Sequence, residues 1–188
     1  MATQTGNGNP RRPGNWRVVM WCGAALLLLL PWVAMQFTGE VAWDLSDFII
    51  FGAMLLGACG TCELAVRMNG SSAYHAAVGV AVAAAFLLVW INLAVGIIGN
   101  ENNPANLMYG GVLAVAVIGS LVARFRPRGM ACALAATALA QASTAVIAAV
   151  AGWGYTFVLT AIFVALWLLS AQLFRRSARE KAVTTTPR

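Results

Sequence analysis

Apolar residues fall into six long runs separated by short polar stretches. Each run is about 17–23 residues, enough for one crossing of a hydrocarbon core about 30 Å thick. The runs predict helices at about 17–37, 45–66, 74–98, 104–125, 130–151 and 155–174. The predicted fold class is therefore all-α, an integral membrane bundle of six transmembrane helices forming one domain over 17–174. Residues 1–16 are polar and rich in Gly, Asn and Pro, and predict a disordered tail. Residues 175–188 predict a second, basic tail.

Local signals sharpen several boundaries. Asp44-Leu45-Ser46-Asp47 reads as an N-cap with an acid three residues later, which suits a helix start and its dipole. Pro104 stands at a favoured first helical position. Arg126-Pro127-Arg128-Gly129 breaks the chain between the fourth and fifth runs, and Pro31 predicts a kink in the first. That first run is longer than the 7–15-residue core of a signal peptide, and no small-x-small site follows Leu30. An uncleaved first helix is expected.

Charge then gives the runs a direction. All twelve Lys and Arg lie in alternate polar segments: Arg11, Arg12 and Arg17; Arg67; Arg124, Arg126 and Arg128; and Arg175, Arg176, Arg179, Lys181 and Arg188. The intervening segments carry Glu40, Asp44, Asp47 and Glu101 instead. By the positive-inside rule both termini are cytoplasmic and the charge-poor loops face outward. The net charge of +6 is thus an orientation signal that meets lipid head groups, and no nucleic-acid partner is expected. Composition agrees: 61% of residues are hydrophobic and 10% charged, against about 25% charged in a soluble domain.

Candidate chemistry is sparse. Glu63 lies about one turn from the inner end of the second helix, with Arg67 four residues on. The pair reads first as an interfacial ion pair, and second as a proton- or cation-binding carboxylate inside the membrane. Asn92 and Gln141 lie deeper, in the third and fifth helices, where amides bond between helices or line a polar cavity. Glu63, Asn92 and Gln141 make the candidate intramembrane or ligand site. Asp44, Asp47, Glu101 and Asn103 make a candidate acidic and amide-rich outer cluster.

Other motifs reduce to packing or capping. Asn103-Pro104-Ala105 matches the aquaporin tripeptide, but it occurs once and its loop is too short for a re-entrant half-helix. It reads as an Asn cap followed by Pro. Cys59-Gly60-Thr61-Cys62 puts two thiols on one helix face without an obvious third ligand, and behaves as small packing residues. His75 is the sole histidine, which excludes a haem held by two histidines of one chain. No catalytic residue, metal set or cofactor is expected. Helix five carries small residues at Ala135, Ala138, Ala142, Ala145, Ala149 and Gly152. Such a seam seats another helix of the bundle, a second copy of the chain, or another membrane protein.

The stretch Trp90–Gly111, continuing through Arg124-Phe125-Arg126-Pro127-Arg128-Gly129-Met130, resembles a group of small bacterial multi-pass membrane proteins to which no activity is attached. Trp43-Asp44-Leu45-Ser46-Asp47-Phe48 and Phe51-Gly52-Ala53-Met54 are similar to the same group. The resemblance implies a bacterial inner-membrane location and brings no substrate or cofactor. The expected function is that of a non-enzymatic inner-membrane protein, an accessory or assembly subunit. The alternative is a small-solute or ion transporter using the polar groups of the bundle.

The charge asymmetry makes a direct prediction. Reporter fusions after Thr38, Asn102 and Gly154 should report the periplasm, and those after Asn69, Pro127 and the C-terminus the cytoplasm. A periplasmic C-terminus would contradict the six-crossing topology.

Overall fold

The computed structural model describes residues 15–68, 71–154 and 156–185. The expected disordered tail lies almost wholly outside them. The described residues form six α-helices and no strand: α1 Asn15–Ala34, α2 Leu45–Met68, α3 Ser72–Ala94, α4 Met108–Val122, α5 Pro127–Val150 and α6 Phe157–Thr185. A short 3-10 turn, Pro104–Leu107, leads into α4. By length and apolarity all six helices can cross a membrane, α4 together with its leading turn.

The chain divides into two compact units, with the division inside α2 after Cys59. In the first unit α1 carries Pro31 within its last turn, and its end relaxes into a turn in which the Met35 and Thr38 amides reach back to the Pro31 and Ala34 carbonyls. Asp44 then starts α2. Its Oδ1 accepts from the Asp47 amide at 3.0 Å, and Asp47 Oδ2 accepts from the Asp44 amide at 3.0 Å. This reciprocal cap satisfies two donors that the first turn would otherwise leave open. Trp43 stands edge-on to Phe48 and Phe51 at 5.2 and 5.4 Å, so the residue before the cap packs onto the helix it starts.

In the second unit α5 packs between α4 and α6, and α6 also packs against α3. The core is aromatic and aliphatic: Tyr74, Leu88, Tyr109, Leu134, Phe163, Trp167 and Phe174 are all at most 2% exposed. Small residues set the α4–α5 spacing. A Cβ on Gly119 would lie 2.9 Å from the Ala133 Cβ, so the helices meet backbone to backbone there. Ser170 donates to the Ala77 carbonyl at 2.7 Å and ties α6 to α3.

Several boundaries differ from those expected: α1 ends at Ala34 rather than residue 37, α5 starts at Pro127 rather than residue 130, and the ends of α3, α4 and α6 depart as well. Helix α3 stops at Ala94 rather than residue 98, because the amides of Ile97 and Ile98 are taken by the Asn106 side chain. Helix α4 stops at Val122, because Arg124 and Phe125 adopt left-handed φ values of 49° and 56°. This strained pair costs roughly 1–2 kcal/mol per residue. It is held by the Tyr74 hydroxyl, which donates to the Phe125 carbonyl at 3.0 Å. The chain turns at once into α5, with Arg126 as N-cap and Pro127 in the first turn.

Helix α6 makes the largest departure. It runs through the expected basic tail to Thr185 and is about 44 Å long. Ser177 is fully buried, and Glu180 accepts from the Ser71 hydroxyl at 2.6 Å. The segment Arg175–Thr185 has no Gly or Pro and is made mostly of good helix formers.

The alanine seam of α5 is partly internal. Ala138 and Ala145 are buried, whereas Ala135, Ala142 and Ala149 are half-buried and Gly152 is exposed. Overpacking typically costs about 1–3 kcal/mol per site. Gly119→Leu and Ala138→Leu should therefore each lower thermal stability in detergent by about that much. Leu at the exposed Ala136 should change little. Equal melting temperatures for all three variants would refute the close α4–α5 approach.

Candidate functional site

The most heavily bonded side chain of the second unit is Asn106, in the turn before α4. It is 4% exposed. Its Oδ1 accepts from the Ile97 and Ile98 amides at 3.1 and 2.8 Å, and its Nδ2 donates to the Ile98 and Asn100 carbonyls at 3.3 and 2.7 Å. Two donors and two lone pairs are the whole capacity of an amide. Its backbone carbonyl accepts from Asn92 Nδ2 at 3.3 Å, and its backbone amide donates to the Asn103 carbonyl at 3.0 Å. The irregular stretch between α3 and α4 is thus wrapped around one side chain.

The rest of that loop is held locally. Asn103 Oδ1 accepts from the Ala105 amide at 3.0 Å, the cap expected of Asn-Pro. Asn100 Oδ1 accepts from the Asn102 amide at 3.1 Å, and Glu101 accepts from Asn102 Nδ2 at 3.0 Å. Gly96 takes φ +69°, and a Cβ there would come within 2.3 Å of the Asn100 carbonyl carbon. Only glycine fits that approach.

One turn beyond Asn106, Tyr109 is 1% exposed. The hydroxyls of Thr144, Thr156 and Thr160 gather around its phenol. None of them completes a well-formed hydrogen bond with it, and Tyr109, Thr156 and Thr160 all retain buried unpaired oxygens. Thr144 donates instead to the Gln141 carbonyl at 2.7 Å. Gln141 itself is 1% exposed, and neither atom of its amide is paired. The Trp167 indole N–H and Asn92 Oδ1 are also buried and unpaired. Each unmet bond of this kind costs about 1–3 kcal/mol. Helices α4, α5 and α6 thus enclose neutral donors and acceptors that can bond water or a small hydroxyl- or amide-bearing molecule.

Each sequence-predicted residue has its own local surroundings. Asn92 and Asn103 belong to the Asn106 network. Gln141 lies on α5, one turn before Thr144. Glu63 is on α2 and pairs with Arg67 at 2.5 Å. The Glu63 side chain is 15% exposed and that of Arg67 is 67% exposed. Asp44 and Asp47 form the cap of α2 in the first unit. The Ser46 hydroxyl, and then the Asp47 backbone amide, hold the Asp44 carboxyl below its ordinary pKa of 3.8. Glu101 is exposed in the α3–α4 loop. Cys59 is buried and Cys62 half-buried, both reduced. Among the described residues no three His, Cys, Asp or Glu side chains gather as metal ligands would.

Sequence reasoning passed over Asn106, Tyr109, Thr144, Thr156 and Thr160. A signal was present: Thr156 and Thr160 stand four apart at the start of α6, and Gln141 and Thr144 stand three apart on α5. Both spacings put polar groups on one helix face. No protein-family model, curated protein or solved structure matches this chain.

Asn106→Leu should lower stability by at least about 2 kcal/mol, because it strands four backbone groups at once. Asn106→Asp keeps the two accepting contacts and should fall between. Thermal melts in detergent, with the exposed Asn102→Ala as control, measure this. A melt for Asn106→Leu equal to that of Asn102→Ala would remove the amide from its central role.

Proposed function

We propose that this chain is a multi-pass protein of the bacterial inner membrane, with both termini in the cytoplasm, and that it is a non-enzymatic accessory or assembly subunit of a membrane complex. The topology rests on the Lys and Arg distribution. The subunit role is supported by one observation above all: α1 presents large apolar side chains around much of its surface. Val19, Leu26 and Leu30 fall on one stripe of α1 at steps of seven and four. In lipid such a stripe gains little from hydrophobicity itself, so a partner helix would be recognised by shape and close packing. The half-buried flank of α5, at Ala135, Ala142 and Ala149, offers a second contact surface for a further copy or another membrane protein.

A transporter is the second reading, supported by the unpaired amide of Gln141 beside a hydroxyl-rich cluster. The Glu63–Arg67 pair supports a structural role for Glu63 instead. An exposed helix pair contributes only about 0.3–0.5 kcal/mol.

The two readings separate experimentally. Purification in mild detergent should recover a stoichiometric companion, and Leu26→Ala with Leu30→Ala should reduce its recovery about tenfold at an unchanged level of this chain. Glu63→Gln should leave both unchanged. A chain that purifies alone, and whose Gln141→Leu variant folds but abolishes solute uptake into vesicles, would replace the first reading with the second.

A further inference from the structure

A cavity of about 310 Å³ opens within the second unit, where the end of α2 faces helices α3 to α6. Its size is at the lower end for a ligand pocket. The wall is nearly all apolar and includes Leu64 of α2, Val78 of α3, Leu113 of α4, Leu134 of α5, and Trp167 and Phe174 of α6. The cavity reaches the end of the bundle where α3 begins, α4 ends and α5 begins, since Tyr74, Phe125 and Met130 also line it.

That end carries the arginines. Arg124 and Arg126 flank the lining residue Phe125, and Arg175 and Arg176 follow the lining residue Phe174. All four are exposed, and none has an ion-pair partner among the described residues. The neighbouring Arg67 is held by Glu63. An apolar slot therefore ends in a fringe of uncompensated guanidiniums. A guanidinium fits a phosphate with paired hydrogen bonds.

We propose that this cavity receives an acyl chain of an anionic phospholipid from the cytoplasmic leaflet, with the lipid phosphate at Arg124 and Arg126. The proposal rests on the reading above that the helices cross the inner membrane with the arginine end inside. A partner helix is not the occupant, because a helix with its side chains is about 10–12 Å across and even two turns exceed the space. A hydrocarbon chain is far slimmer than a helix, and the nearly all-apolar wall has the right chemistry. Basic pockets between helices on the cytoplasmic side are a recognised way of holding acidic lipid head groups. Zwitterionic lipid would fill the same slot but gain less from the fringe.

The test uses the full chain, extracted from the membrane fraction with mild detergent and stripped of lipid. Recovery in the soluble fraction would defeat the membrane reading before any lipid is added. Binding of phosphatidylglycerol and of phosphatidylcholine with the same chains is then measured by native mass spectrometry and by thermal shift. Phosphatidylglycerol should bind at least tenfold more tightly. Arg124→Gln with Arg126→Gln should weaken phosphatidylglycerol by about fivefold per arginine and leave phosphatidylcholine unchanged. Ala81→Phe with Ala116→Phe, which fills the slot from α3 and α4, should weaken both lipids. A third measurement does not depend on the filled variant folding: phosphatidylglycerol brominated on its chains should quench the fluorescence of the native chain more than that of Trp167→Phe. Equal affinity for the two lipids, no contribution of Trp167 to quenching, or equal protection by glycerol 3-phosphate alone would overturn the proposal.

Discussion

A chain that passes between two packed helices must satisfy every backbone group it buries, because each one left unpaired costs about 1–3 kcal/mol. In the second unit that constraint is met mainly by one amide. Asn106 gathers the Ile97, Ile98 and Asn100 backbone groups and so ends α3 four residues early. The start of the next helix follows from this. The 3-10 turn starts from Asn103, α4 starts at Met108, and Tyr109 is carried inward to face the threonines of α5 and α6. Alanine at position 106 would leave the same loop without a centre.

The opposite end solves the same problem by other means. There the chain reverses between α4 and α5 through two left-handed residues, neither of them glycine. The strain is tolerable because Tyr74 holds the Phe125 carbonyl and Phe174 packs edge-on to Tyr74 at 5.1 Å. Gly129 then allows α5 to leave close beside α4, since a Cβ there would sit 2.7 Å from that of Ala123. The side chains left outside this tight turn are arginines. A turn built for backbone economy thus also displays a row of positive charge beside an apolar cavity.

The features legible in the sequence are those with a local cause. Six apolar runs gave six helices because length and composition act segment by segment. The partners in the Asp44–Asp47 cap, the Asn103 cap and the Glu63–Arg67 pair lie at most four positions apart, so neighbouring positions contain the whole interaction. Asn106 was not legible, because its partners lie six to nine residues back and its geometry depends on where α3 stops. The Tyr109 cluster draws on three helices, and no short window holds it. Helix α6 is a different case. Its charged end read as a tail because charge marks the edge of hydrocarbon, whereas charge does not end a helix. Arg175–Thr185 carries helix-forming residues, and burial of Ser177 shows the extension packing against protein.

The amides of Asn92 and Gln141 invite the same reading from sequence, as polar glue between helices, yet their surroundings differ. Asn92 has a partner in the Asn106 carbonyl and spends its donor on the loop that needs it. Gln141 lies on the buried face of α5, and both its amide atoms are unpaired. At about 1–3 kcal/mol for each unmet group, an apolar residue of similar volume would stabilise the bundle more than this glutamine does. Packing alone therefore gives no reason for glutamine at that position. The threonines and tyrosine nearby repeat the pattern, with hydroxyls close to one another and incompletely bonded. Tyr109, Gln141, Thr156 and Thr160 carry part of this polar cost around one tyrosine, while Asn92, Trp167 and Ser177 carry the rest elsewhere in the unit. The unpaired group around Tyr109, rather than the ion pair of Glu63, is what the transport reading draws on.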